Sequence, residues 1–462
     1  MILVYILSAL CVALLVRSLM PRLIGMQPLS DAQRNIAFFA VMAMMIVIVG
    51  QIQSWNVALA LVNLCLISSI MALGVNIQWG YAGLLNVGIM GFAALGGVAA
   101  VLVAADPVTD AWAAGALGVF VAFVIAVVTV MGATYAYRNM AKTNKRTLVV
   151  AVIAIGGLLL ARSFYGPATA AIEKVDPAAA GYLGGLGLPI ILAWPVGGLL
   201  AGLAAWGIGK VALGLRSDYL AIATLGIAEI IVAIIKHEDW MTRGVKNVSG
   251  LPRPVPYEID LQQAQWFLDL AASWGQNPAT MSSILVKLCY AVLFTLVLLL
   301  VMWLSQKALN SPWGRMMRAI RDNEVSANAM GKDIVARHLQ VFVLGSIVVG
   351  IAGAMLTTLD GQLTPGTYQP LRFTFLIWVM VILGGSGNNW GAVLGGFVVW
   401  FFWIQAEPIG LWLMDTITMG MADDNGLRKH LLESAAHMRL MTMGIILLVV
   451  LRFSPRGLIP EK

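Results

Sequence analysis

Long apolar runs, separated by short polar links, fill almost the whole 462-residue chain. They fall at 1–16, 36–52, 57–77, 84–105, 112–137, 148–164, 188–208, 219–235, 284–304, 339–359, 373–383, 390–404 and 440–451. A helix needs about 20 apolar residues to cross the hydrocarbon core of a bilayer, and most runs approach that length. The pattern predicts an all-α, polytopic integral membrane protein with about 11–13 hydrophobic segments. Two places interrupt it with glycine, at "WGYAGLLNVG" and "GGSGNNWG". Short spans beside them are read either as crossings or as re-entrant pairs.

Composition narrows the class. Hydrophobic residues make up 60% of the chain and charged residues 11%, whereas soluble domains carry about 25% charge. No stretch is polar enough to fold as a separate soluble domain. The net charge of +7 is a topology signal rather than a nucleic-acid footprint, because Lys and Arg collect in cytoplasmic loops. The run 1–16 has no basic residue before it and no A-x-A site after it, so it reads as a retained first span. Arg17, Arg22 and Arg34 follow it and place the N-terminus outside. Alternating from there puts 77–83, 138–146, 210–216, 306–337, 384–389 and the tail from 452 inside. The segments "ADPVTD", "EKVDP", 236–280, "DGQLTPGTYQP" and the stretch from "AEPIG" to Met438 fall outside. Within 236–280 the prolines of "GLPRPVP" exclude a helix. "QWFLDLAASWG" predicts a short interfacial helix with Trp266 and Trp274 at headgroup depth.

Several chemistries are not supported. Cys11, Cys65 and Cys289 lie inside apolar runs, and no CxxC or Cys/His cluster is present. His430 and His437 share a helix face at a spacing of seven but have no further ligands beside them. No metal or cofactor is expected. Nor is there a phosphate loop: "MGKDI" offers Gly331 and Lys332, but Asp333 stands where Ser or Thr is needed. No paired carboxylates or nucleophile–base set mark an enzyme.

The stretch "SPWGRMMRAIRDNEVSANAMGKD", 311–333, is out of keeping with its greasy flanks. Ser311 is a good N-cap and Pro312 suits the first helical position. Arg315, Arg318 and Arg321 recur every third residue as a basic stripe, beside Met316, Met317 and Ile320. Gly331 is placed to end the helix. One amphipathic helix is expected, lying on anionic lipid or docking on a cytoplasmic partner. The acidic Asp322 and Glu324 argue mildly against lipid.

Polar residues within spans are costly, which makes each a functional candidate. Glu229 lies ten residues beyond Tyr219, roughly 15 Å into its helix. It could meet a substrate amino group or act as structural glue, and the second reading is preferred because a fixed ion pair would trap substrate. Asn76, Gln78 and Asn86, with Gly80, Gly83 and Gly88, allow a helix break that exposes backbone to a cavity. Gly384, Gly385, Asn388 and Asn389 offer the same in the second half. Gly-mediated packing is the alternative at both places. Two such breaks match the inverted-repeat plan of transporters.

Five motifs carry a resemblance. Ser311, Gly314, Arg315, Ala319, Ile320, Arg321, Glu324, Ala327 and Gly331 fit S-x-x-G-R-x-x-x-A-I-R-x-x-E-x-x-A-x-x-x-G. "LRSDYLAIATLGIAEII" follows, with Ser217 where Gly is usual, then "GVKNVSGLPRP", "VMVILGGSGNNWGAVLGG" and "FSPRGLIPE". In their order along the chain they resemble the M-type permease of branched-chain amino acid ABC importers, from about residue 80 onward. The resemblance implies a multi-pass protein of the bacterial inner membrane, and the charge alternation gives it a periplasmic N-terminus and a cytoplasmic C-terminus. It implies an H-type second permease, two ABC ATPase subunits, a periplasmic substrate-binding protein and an amino-acid substrate, within membrane lipid. The loop 306–337, through Ser311, Gly314, Arg315, Arg318, Ala319, Arg321, Glu324 and Gly331, would couple to the ATPase. Residues 1–53 read as additional spans, 54–462 as the permease domain, and 138–185 as a divergent insertion. Urea or short-chain amides are the nearest rival cargo. An ion-coupled secondary transporter would want more intramembrane ionisable groups than Glu229.

Overall fold

The computed structural model describes residues 2–19, 29–177, 180–421 and 425–461. Arg22, used above for topology, lies outside the described residues.

Every apolar run becomes helix. In chain order these are α1 (Ile2–Leu19), α2 (Asp31–Ile52), α3 (Trp55–Ala82), α4 (Ile89–Ala104), α5 (Thr109–Asn139), α6 (Asn144–Glu173), α7 (Ile190–Ala212) and α8 (Ser217–His237). Two short helices, α9 (Glu258–Gln263) and α10 (Gln265–Ser273), precede α11 (Pro278–Asn310). Next come α12 (Pro312–Asp322), α13 (Glu324–Ala329), α14 (Ile334–Asp360), α15 (Leu371–Gly384), α16 (Asn389–Ile417), α17 (Gly426–Glu433) and α18 (Met438–Phe453). Among the described residues nine helices are long and apolar enough to cross a bilayer. The caps follow local chemistry. Ser30 and Gln33 close a capping box on α2, and Ser54 accepts from the Val57 N–H at the head of α3. Gly83, at φ 69°, ends α3 in the left-handed conformation that glycine adopts without steric cost.

The core is α3 and α14, with α4, α7 and α16 packed on them. Small residues permit this closeness, since helices in lipid gain from tight backbone approach. A methyl group on Gly96 would stand 2.0 Å from the Gly350 carbonyl oxygen of α14. The α1–α2 pair packs on the flank of α3. The α5–α6 pair packs mainly on itself, along a seam where Ala122, Thr129 and Ala136 recur every seven residues. At one end it is tied down by Tyr165, whose hydroxyl donates to Glu238, while Trp240 Nε1 donates to Tyr165 Oη and Glu238 Oε2, each at 2.8 Å.

The links gather at two ends. At one end β1 (Val248–Ser249) pairs antiparallel with β2 (Gln362–Leu363), and the Leu251 N–H donates to Gly361 O at 3.1 Å. Leu183 N–H donates to Trp240 O there, and Pro107 bridges to Gly184. The segments 105–110, 182–188, 236–280 and 361–370 therefore share this end. At the other end lie α12, α13, the end of α3, 384–389 and 454–461. That grouping agrees with the alternation drawn from charge. The short helix α10 forms as expected, with Phe267 and Ala271 buried and Trp266 and Trp274 exposed.

Two helices are short because part of each crossing is made by extended chain. From the arginine-rich end, 83–88 runs extended before α4 begins; from the opposite end, 361–370 leads into α15. Their first turns meet where the Met90 N–H donates to Thr374 Oγ1 at 3.3 Å. The inverted partner of the break at 83–88 is thus 361–370, whereas the glycines at 384–391 form the turn that follows α15. The sequence pairs the two glycine-rich stretches because both look breakable. The topology pairs the two extended entries instead.

Candidate functional site

The arginine stripe departs from its expected form in three ways. Instead of one helix to Gly331, the chain breaks at Asn323, which is extended at φ −155° and accepts from the Ser326 N–H. An Asn side chain that bonds its own neighbouring backbone competes with helix continuation. Gly331, at φ 75°, lies beyond the second helix. Ser311 does not cap with its side chain; its hydroxyl donates to Ala308 O at 2.6 Å and so closes the preceding α11. The stripe also does not face one way. At about 100° per residue, positions three apart drift, and Arg315 and Arg321 stand about 120° apart. Arg315 is exposed, Arg318 half-buried, and Arg321 swings into the bundle.

The inner side of α12 is Gly314, Met317 and Ile320, all buried. Gly314 is required by closeness: a Cβ there would lie 2.3 Å from Leu309 O. The outer side of α12 presents Arg315 and Ala319, and beyond the break α13 and its end add Glu324 and two exposed apolar side chains, Val325 and Met330. This two-sidedness fixes the helix to the spans on one face and leaves a mixed basic and apolar face free.

Arg321 anchors the inner side. It donates to Gly80 O near the end of α3 and pairs with Glu461 Oε2 at 2.8 Å and with Asp322 Oδ1 at 3.2 Å. Burial works against its charge, but the Glu461 and Asp322 carboxylates outweigh it and hold the guanidinium above its ordinary pKa. Glu461 belongs to a tail that lies along the end of α15. Leu458 N–H donates to Leu383 O and Ile459 N–H to Gly384 O, each at 2.9 Å. Asn388 Nδ2 donates to Pro460 O at 3.2 Å, while its Oδ1 caps α16 by accepting from Trp390 N–H at 3.0 Å. Gly385 takes φ 118° there, and a Cβ on it would strike Ile459 O at 2.2 Å.

Beneath this tail lies a buried amide lattice. Asn76 Oδ1 accepts from Gly387 N–H at 2.9 Å, and Asn76 Nδ2 donates to Asn389 Oδ1 at 3.2 Å. Tyr81 donates to the same Asn389 oxygen at 2.9 Å, and Asn389 Nδ2 donates to Gln306 Oε1 at 3.2 Å. A second lattice holds the extended segment 83–88. Asn86 Nδ2 donates to Gln78 Oε1, and Gln78 Nε2 to Phe342 O, each at 2.8 Å. Trp378 Nε1 donates to Asn86 O at 2.9 Å, Asn86 Oδ1 accepts from Gly88 N–H at 2.9 Å, and Val87 N–H reaches Thr224 Oγ1 at 3.1 Å. Buried polar groups of this kind must be paired, because an orphaned one costs about 1–3 kcal/mol.

The structure thus brings Gly80, Gly83, Asn76, Gly384, Gly385 and Asn388 together with Arg321, and places Asn86 and Gly88 deeper, beside α8. Glu229 stands apart from both groups, on the exposed face of α8. Glu461, Gln306 and Tyr81 carry no local signal that marks them; their partners lie up to 308 residues away. The tail motif "FSPRGLIPE" is visible in sequence, but its contact with α12 is not.

Residues 170–451 match the family described as branched-chain amino acid transport system / permease component. The chain is 25% identical over 332 residues to the "Probable branched-chain amino acid transport permease protein LivM" of Methanocaldococcus jannaschii, covering 68% of this chain and 84% of that protein. It is 26% identical over 209 residues to the high-affinity branched-chain amino acid transport system permease protein LivM of Escherichia coli K12, covering 44% of this chain and 48% of that one. It spans only about half the length of that relative. The xylose transport system permease protein XylH of the same organism matches at 24% over 323 residues, or 66% of each chain. No solved structure matches significantly. A family match over more than half of the chain, on a multi-pass helical fold, makes it a member of the branched-chain amino acid transport system permease family: a membrane subunit of an ABC transporter.

Proposed function

We propose that this chain forms, with a second permease subunit, the path by which branched-chain amino acids enter the bacterial cytoplasm. A periplasmic binding protein delivers the cargo and separate ATPase subunits drive the cycle. The observation that carries this reading is the two-sided helix α12. Its inner face is bolted to α3, α11 and the tail, and its outer face offers Arg315 and Arg318, beside the exposed Val325 and Met330 of the segment that follows. Such an element transmits force: a push on the outside moves several spans as a rigid body. The arginine-rich end is then cytoplasmic, which agrees with the distribution of Lys and Arg. Ser311, Gly314, Ala319, Glu324 and Gly331 shape this lever. The amide lattices around Asn76, Asn388 and Asn86 hold the partly extended crossings of α4 and α15 in place. Residues 1–53 and the α5–α6 pair are additions around the permease domain.

The test is the double substitution Arg315→Glu with Arg318→Glu, expressed with the partner subunits. Membrane insertion should be unchanged, since neither side chain is buried. Co-purification of the ATPase should fall at least tenfold, the ratio that corresponds to about 1.4 kcal/mol. Undiminished co-purification would remove α12 from the docking surface.

A further inference from the structure

Among the described residues, Lys287, Glu407, Arg162 and Glu229 are charged groups within apolar spans that reach the surface or its margin. Three have local explanations. Lys287 is held by Asn56. Glu407 is paired with Arg439. Arg162 lies three residues, about 4.5 Å, below Tyr165, whose hydroxyl meets Glu238 and Trp240 at the end of the bundle. A long arginine side chain reaches the interface from that depth. Glu229 has no such exit. It lies 12 residues from Ser217, roughly 18 Å along α8, and nine residues, roughly 13 Å, before Glu238. Its side chain is short, it is exposed, and it has no hydrogen bond or ion pair among the described residues.

The surroundings of Glu229 are specific. The inner face of α8 is Leu220, Thr224, Ala228, Val232 and Ile235, and it packs on α4. The outer face carries Gly226 a turn before Glu229 and Ala233 a turn after it, flanked by the exposed Ile222 and Ile230. No side chain stands over Gly226; a methyl group there would meet nothing within 4 Å. The result is a carboxylate in a shallow gap between small residues, with branched apolar side chains on either side. Hydrocarbon cannot cover an ionised carboxylate at mid-bilayer depth without a large penalty. The interior of this chain does not supply the path either, since its buried amides at the break 83–88 are bonded to one another.

We infer that the outer face of α8 lines the aqueous path closed by the second permease, and that Glu229 receives the ammonium group of the passing amino acid there. This rests on the importer reading above. Gly226 and Ala233 leave room over the carboxylate, and Ile222 and Ile230 suit a branched apolar side chain. Water at the site keeps the attraction weak, because charges in contact across water attract far less than in a dry interior. Cargo is therefore selected without being trapped.

The test uses the assembled transporter in vesicles, with ATP and binding protein, and the three branched-chain L-amino acids as probes. Glu229→Cys is treated with a charged, membrane-impermeant thiol reagent, with the parent chain as the blank. Leu159→Cys, on the outer surface of α6, is the lipid-facing comparison. Expected results are labelling at 229 and not at 159, protection at 229 by saturating substrate, and uptake by Glu229→Gln reduced at least tenfold at unchanged protein level. Absence of labelling at 229 would overturn the proposed lining. Labelling with full uptake by Glu229→Gln would overturn the substrate contact. Failure of the parent chain to take up any of the three would instead count against the cargo reading.

Discussion

Reversing one charge, Arg321→Glu, is expected to cut transport at least tenfold while the protein still inserts, because it severs the lever from the spans it moves. Arg321 is where α12, the end of α3 and the tail meet: it donates to Gly80 O and pairs with Glu461 at 2.8 Å. Hydrogen bonds to charged groups contribute about 1.5–3 kcal/mol. The partial exposure of both side chains places this pair at the lower end of that range. Reversal also sets a carboxylate against Glu461. The mechanical reading makes a further demand. ATPase association, which depends on Arg315 and Arg318, should survive in Arg321→Glu, so ATP hydrolysis should continue while uptake falls. Adding Glu461→Arg should restore part of the uptake, with a coupling energy of about 1–2 kcal/mol in the double-mutant cycle. Strict additivity of the two substitutions, or uptake and hydrolysis lost in parallel, would show that the contact is mere packing.

Gly80→Ala should be strongly damaging for the addition of a single methyl group. The added Cβ would lie 2.3 Å from Asn76 Oδ1 and 2.5 Å from the Gly387 nitrogen. Neither neighbour can retreat. Asn76 is held by Gly387 and Asn389, and the Gly387 nitrogen is backbone in a turn covered by the tail. Overpacking costs about 1–3 kcal/mol, and the displaced amide adds about 1–3 kcal/mol for each buried partner left unpaired. Detergent-solubilised protein should lose several degrees of apparent melting temperature and much of its monodisperse yield. Gly83→Ala, where space is open except for Arg321 Cγ at 3.3 Å, should cost less and act mainly through its left-handed backbone. Equal losses at the two positions would contradict the crowding assigned to Gly80.

Helix positions were legible in sequence because lipid leaves the backbone no alternative to internal hydrogen bonding. The runs at 57–77 and 339–359 needed only extension at their ends, to α3 and α14. The sides on which links gather were legible from lysine and arginine. Other features depend on tertiary contact. The break at Asn323 is set by a side chain choosing a neighbouring amide over the next turn, which periodicity does not register. The inward turn of Arg321 follows from rotational drift along α12, but its partners, Gly80 and Glu461, lie 241 and 140 residues away. For the same reason the glycines at 384–387 read as a second membrane break, although they serve as a seat for the tail. Glu229 stands out in the sequence as an anomaly; only the packing of α8 on α4 shows which way it points.

The α5–α6 pair has a consequence for how such proteins vary. Its seam is self-contained, and its clasp at Tyr165, Glu238 and Trp240 holds it at one end. Lengthening or trimming that paddle changes the area the subunit occupies in the bilayer plane but leaves the central helices undisturbed. Surface loops of water-soluble proteins accept insertions on similar terms; here the same tolerance is extended to an entire helical hairpin bathed in lipid.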